Sequence, residues 1–233
     1  MDFTPNCIAC SSKSPPPTDT FLMNKIYDLI VRNKFLINGV GHEIIIPSGT
    51  RRSLKKVTLK VRGNNNRLII GRGTKITNTE IRLDGENNTI ELGENCQFKS
   101  GKIYLKNGSN KHIRIGNDTT VEGAYLLTDE QANIEIGRDC MLSTEIMIRT
   151  GDKHSILDLH SRKRINHAQD IFIHNRVWIG RGALILKGTR LQEETIVGAK
   201  SIVTSSFNTA NIIIAGCPAK TVKENIYWDR KLL

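Results

Sequence analysis

The histidines are the side chains best suited to acid–base work in this chain, and they are grouped. There are six: His42, His112, His154, His160, His167 and His174. The last four share one polar stretch. An unperturbed imidazole titrates near neutral pH, so such a residue can take a proton and return it. His154 stands in Gly151-Asp152-Lys153-His154-Ser155-Ile156-Leu157-Asp158. Asp152 or Asp158 could hold its ring by the second nitrogen, and a backbone carbonyl could do so equally well. On its own, a histidine in such a stretch is more often a solvated surface residue. The five cysteines form no regular spacing. Cys7 and Cys10 make one CxxC in a Pro/Ser-rich leader, without the second pair a zinc site needs.

These side chains need a scaffold, and the totals restrict it. The chain has 233 residues, 38% hydrophobic and only 5% aromatic. Its core must be aliphatic. No apolar run is long enough for a transmembrane helix. The start lacks the basic head and apolar stretch of a secretory signal. The net charge of +11 suits an anionic partner. No long run of like charges and no RNA-recognition or zinc-finger pattern is present, so nucleic acid is not expected.

A short pattern recurs: an apolar residue, Gly, two free positions, a small residue, one free position, an apolar residue. It reads Ile70-Gly71 with Thr74 and Ile76, then Leu92-Gly93 with Cys96 and Phe98. It returns at Ile115-Gly116, Ile136-Gly137, Ile179-Gly180 and Val197-Gly198. From Ile179 the hexad is unbroken through Ile185, Leu191, Val197 and Val203. A helix repeats every 3.6 residues and a strand every two. Six suits one short strand plus one corner, and three units close a triangular coil. The apolar residue points inward, the small residue fits the corner, and glycine is expected to supply corner dihedrals. Cys96 and Cys140 then take small-residue places. The glycines at 137 and 180 are about two coils apart, and 151–175 is expected to be a loop leaving the wall. Residues 1–20 read as a flexible leader and 21–63 as an N-terminal helix and strand cap. The coil domain spans 64–223, and 224–233 is a tail, read as helical.

The hexads, with the strings TGDKHSILD, KRINHAQDIFIHNRVWIGRGALILKG, IVGAKSIVT and IIAGCPAKTVK, resemble the bacterial hexapeptide-repeat acyltransferases. The likeness covers about residues 65–223 and is closest to the capsular polysaccharide and polysialic acid O-acetyltransferases. It implies an all-β fold: a left-handed parallel β-helix with a projecting catalytic loop and short helical appendages. It also implies a homotrimer with active sites between subunits. Acetyl-CoA would be the donor, a carbohydrate the acceptor, and no metal would be needed. The charge leans toward an acidic polysaccharide. The expected place is the bacterial cytoplasm or the inner face of its membrane.

By this resemblance His154 is the catalytic base, with Asp152 or Asp158 as a candidate orienter. Trp178, alternating with inward residues, faces the substrate groove. The donor's thin arm would lie along Gly180, Gly198 and Ala199. Its phosphates would meet Lys200, Lys220 and Lys223, and Pro218 would shape the turn over the adenine. Lys200 departs from the family, where a small residue is common. Other readings are a xenobiotic acetyltransferase, a zinc enzyme of the γ-carbonic anhydrase type, and a non-catalytic β-helix scaffold.

Overall fold

The computed structural model describes residues 27–233. The expected leader, Cys7 and Cys10, and the start of the expected N-terminal helix lie outside the described residues. The chain is helical at 27–30 and then extended in β1 (Lys34–Asn38). Apolar spacing predicts the helix of the 21–63 cap over 21–37, and strand replaces its last residues. Strand prevails because β1 joins the sheet in parallel register, Lys34 opposite Thr58 to Asn38 opposite Arg62, with Phe35 and Ile37 packed on the core.

From Glu43 the chain winds into a three-walled parallel coil. Wall A is a seven-stranded sheet of β2 (Glu43–Ile45), β4 (Arg67–Ile70), β6 (Thr89–Leu92), β9 (His112–Ile115), β12 (Ile134–Ile136), β15 (Ile171–Ile173) and β18 (Arg190–Leu191). Wall B stacks β7 (Gln97–Phe98), β10 (Thr120–Val121), β13 (Met141–Leu142), β16 (Trp178–Ile179), β19 (Ile196–Val197) and β21 (Ile213–Gly216). Wall C stacks β8 (Gly101–Leu105), β11 (Ala124–Thr128), β14 (Ile146–Arg149), β17 (Leu184–Ile185) and β20 (Ile202–Val203). β3 (Leu54–Arg62) and β5 (Lys75–Asp84) pass through the B–C corner unbroken, which joins those walls in one sheet. Along each wall alternate residues face in. Ile179, Ile185, Leu191, Val197 and Val203 are all buried, on walls B, C, A, B and C in turn. Each such side chain contributes about 1.5–3 kcal/mol of hydrophobic stabilisation.

The repeated glycines serve a different purpose from the one expected. None of Gly71, Gly93, Gly116, Gly137, Gly180 and Gly198 has positive φ. A Cβ on Gly116 would lie 2.6 Å from the backbone nitrogen of Arg138, and one on Gly180 would lie 2.7 Å from that of Ala199. They are glycines because the next coil passes too close. The left-handed corner residue comes two places later: Gly73, Asn95, Asp118, Asp139, Gly182 and Lys200. The small residue beside it is buried and tied upward. Thr74 Oγ1 donates to the Gly93 carbonyl at 2.6 Å and Thr119 Oγ1 to that of Gly137 at 2.9 Å. Cys96 and Cys140 take this place, with Sγ 3.1 Å from the Gly116 carbonyl and 3.2 Å from that of His174.

The interval between Gly137 and Gly180 is also corrected. Gly137 ends wall A and stacks on Asn175, whereas Gly180 ends wall B. Ile134 pairs with Ile171, so this interval is one coil with a loop in it, plus one wall. The loop runs over 151–170, and the expected end at 175 was too late. Ile171-Phe172-Ile173 are already wall A, because their alternation buries both isoleucines.

The end of the chain differs from the helix expected for it. β22 (Ala219–Lys223) folds back antiparallel on β21, and 224–233 is irregular. Trp228 is buried, its Nε1 donating to the Arg176 carbonyl at 2.7 Å. Arg230 donates to Asp139 Oδ1 at 2.8 Å and to the Cys140 carbonyl at 2.9 Å. These anchors need an extended tail lying across earlier coils, which a helix could not supply. No helix among the described residues is long and apolar enough to cross a membrane.

Candidate active site

The 151–170 loop leaves the coil at the C–A corner as an irregular hairpin. Asp158 N donates to the Lys163 carbonyl at 2.8 Å and Ile165 N to that of Ile156 at 2.9 Å. Its base is tied down. Asp152 forms an ion pair with Lys187, at the same corner one coil on. Asn166 is buried within the loop. Its amide donates to Asp152 Oδ2 at 2.9 Å and to the His154 carbonyl at 2.8 Å, and its Oδ1 accepts from Ile156 N at 2.7 Å. The backbone of His154 is therefore fixed while its side chain stays exposed.

The two carboxylates weighed as orienters have other partners. The Lys187 ammonium holds the Asp152 carboxyl below the usual carboxylate range, aided by Asn166. Asp158 accepts from Ser161 N and Oγ, both at 2.7 Å, which stabilises its charged form and fixes the turn at the loop tip. Neither bonds the His154 ring in the single chain.

The residues expected to hold the donor fall mostly on one edge, the B–C corner. Gly180 stacks under Val197 and Ala199, and a Cβ on Gly198 would lie 2.9 Å from that of Ala215. This column of small residues leads to β22, where Lys220 pairs with Ala215 and exposed Pro218 forms the turn. Lys200 projects from the same corner, 3.8 Å from Glu145, which Arg181 holds at 2.6 Å. Lys223 lies apart, opposite Ile213 at the other side of wall B. Trp178 points outward on wall B as expected, but it packs on Trp228 with ring centroids 6.2 Å apart. Wall C separates this edge from the His154 loop. His160 and His167 are exposed on the loop, and His174 has returned to the wall A edge, 3.4 Å from Arg190. Among the described residues no cluster of His, Cys, Asp and Glu could hold a metal ion.

No family model matches the chain. Two solved structures share its architecture over most of its length. The polySia specific acetyltransferase NeuO superposes with a TM-score of 0.78 at 33% identity, covering 85% of this chain and 83% of that one. The polysialic acid O-acetyltransferase OatWY gives 0.76 at 34%, covering 86% and 92%. In sequence, the polysialic acid O-acetyltransferase of Neisseria meningitidis is 37% identical over 194 residues, which is 83% of this chain and 88% of the relative. The chain belongs to the hexapeptide-repeat O-acetyltransferases. The polysialic acid O-acetyltransferase of Escherichia coli O1:K1 is 36% identical over 60% of this chain, a stretch that spans 45% of that relative.

As an O-acetyltransferase the chain is an enzyme, which replaces the zinc-hydratase and scaffold readings. Three residues that tie down the 151–170 loop were missed from sequence: Asn166, Lys187 and Glu130. Glu130 binds Arg164 of the loop and accepts from Ala168 N at 3.3 Å. Asn166 stands within the KRINHAQ string, yet nothing in its spacing distinguishes a loop organiser from a solvated amide. Lys187 becomes visible only when the C–A corners of successive coils are stacked.

Proposed function

We propose that this O-acetyltransferase carries acetyl from acetyl-CoA to a sugar hydroxyl of a capsular or other surface polysaccharide, with His154 as general base. The acceptor oxygen attacks the thioester carbonyl as His154 takes its proton. The tetrahedral intermediate collapses, the C–S bond breaks, and the imidazolium returns the proton to the departing thiolate. The donor's thin arm runs along Gly180, Gly198 and Ala199, where the absence of large side chains permits close approach. Its phosphates lie toward Lys200 and Lys220, with Pro218 at the turn. Asp152 and Asp158 are engaged elsewhere, so a backbone carbonyl is the better orienter.

The observation that carries this reading is the exposed imidazole on a tied-down loop, with the small-residue edge across wall C. The two halves come together when one copy's loop meets the next copy's edge, in the left-handed homotrimer the family implies. The relatives' acceptor, polysialic acid, favours a glycan over a xenobiotic. The net charge of +11 favours an acidic one. The place of action is the bacterial cytoplasm or the inner face of its membrane, where donor and nascent polymer meet.

The test is His154→Ala, assayed by acetyl-CoA consumption with polysialic acid as acceptor. Turnover should fall by about 10²–10⁴-fold while acetyl-CoA still binds. Turnover at the wild-type rate would show that the base lies elsewhere.

A further inference from the structure

The positive charge of the chain is concentrated in its first coil. Residues 27–63 hold eight Lys and Arg against two carboxylates, a net +6 of the chain's +11. Both carboxylates are taken, Asp28 by Arg51 at 2.6 Å and Glu43 by Arg67 at 2.7 Å. Arg32, Arg52, Lys55 and Lys56 are exposed, and among the described residues they form no ion pair. They stand at the B–C corner at the foot of the coil. Lys56 lies five coils below Gly182, the near end of the donor edge. At about 4.8 Å per coil the separation is about 24 Å. The corner is therefore well apart from the loop and the edge that the proposed homotrimer brings together, and acetyl transfer does not use its cations.

The same corner holds aliphatic side chains out in water. The segment 27–33 is bound down on 51–57. Lys56 N donates to the Val31 carbonyl at 2.8 Å. Buried Asn33 donates to the Leu54 carbonyl at 3.0 Å and accepts from Val57 N at 2.9 Å. This docking buries Asp28 and Asn33 but leaves Leu29 80% and Ile30 73% exposed. One exposed aliphatic residue is ordinary. An adjoining pair, fixed among four unpaired cations, has two kinds of surface to satisfy at once. A sugar polymer would engage the cations and leave Leu29 and Ile30 in water. An anionic bilayer satisfies both: its headgroups meet the cations, and the boundary with its acyl chains takes the aliphatic pair.

We infer that the B–C corner of the first coil, through Leu29 and Ile30 with Arg32, Arg52, Lys55 and Lys56, is a docking surface for an anionic phospholipid membrane. It does not rest on the acetyl-transfer reading. The foot of the coil meets the lipid, while the His154 loop and the donor edge stand clear of it, higher up the column.

The experiment uses the full chain and co-sedimentation with lipid vesicles across a salt series. One set of vesicles is phosphatidylglycerol and phosphatidylcholine in equal parts, and the other is phosphatidylcholine alone. Wild type should bind the anionic set at least about tenfold more tightly, and less as salt rises. Leu29→Ser with Ile30→Ser should weaken that binding about tenfold. Arg52→Gln with Lys55→Gln and Lys56→Asn should weaken it about 10–100-fold and flatten the salt dependence. Asparagine suits the left-handed backbone at position 56, where φ is 55. All five side chains are exposed, so the urea midpoint of each variant should stay at the wild-type value. No preference of the wild type for the anionic vesicles, or wild-type binding by both variants, would overturn the surface. Loss in the cation variant alone would also overturn it, because the corner would then be a site for any polyanion. His154→Ala should bind vesicles as the wild type does, so a failure of the surface and a failure of the proposed base are read separately.

Discussion

His154→Ala and Ala199→Trp should each be nearly inactive alone and regain activity when mixed. Asp152 is tied to Lys187 at the C–A corner. His154 follows two residues later, a reach of about 7 Å for extended chain. The small-residue edge lies across wall C. Its near end is Gly182, five residues from Lys187, or about 16 Å at the rise of a strand. In the proposed arrangement one chain therefore does not bring its own His154 to its own small-residue edge. Ala199 is exposed, so a tryptophan there should obstruct that edge without unfolding the coil. Each variant alone should lose about 10²–10⁴-fold in turnover or donor use. In the proposed homotrimer, equal amounts unfolded and refolded together should assemble at random. A site between neighbours needs an intact loop from one copy and an intact edge from the next. About one quarter of the sites meet both conditions. Acetyl-CoA-dependent turnover should thus recover to about a quarter of a wild-type sample refolded in the same way. A mixture no more active than its two parents would refute the shared site and return the chemistry to a single chain.

Three further outcomes test the scaffold. Gly116→Ala should lower stability by about 1–3 kcal/mol in urea titration, since its Cβ would press on the next coil, whereas Asp118→Gly, at a left-handed corner with φ 61, should change it by less than about 1 kcal/mol. Brief alkylation at pH 8 followed by peptide mapping should modify exposed Cys217 and spare Cys96 and Cys140, because burial raises both thiols, Cys140 to about 12, and keeps them from ionising. Lys187→Met should speed tryptic cleavage after Lys153 several-fold. In the wild type the Asp152 carboxyl sits below its ordinary value, so its hold on the loop is complete above the usual aspartate range and is lost only as pH falls through the folded value. Hydrogen exchange of the loop amides across pH 3–6 would read that loss.

The hexad made the coil legible because every sixth residue must be aliphatic, whichever wall it falls on. The same property hid the arrangement of the site. A six-residue period marks all three walls alike, so Gly137 and Gly180 look equivalent although they end different walls. The separation of His154 from Gly198 was invisible for that reason. The glycines were recognised as necessary, but contact with the next coil and a left-handed backbone select the same residue type. In the fold the dihedral burden falls two places later, on residues such as Asp118 and Lys200. The tail was misread because its order comes from Trp228 and Arg230 meeting residues far away in the chain, which no local pattern records.

The fold-back of β22 on β21 has a bearing beyond the donor edge. A parallel coil offers its terminal rung as a template on which another could stack, and columns of this kind are open to end-to-end polymerisation. By reversing direction, β22 occupies the outward hydrogen-bonding groups of wall B's last strand with a strand of the wrong polarity for continuation. On that wall the column carries its own stopper, so growth into fibres is blocked by topology rather than by charge alone.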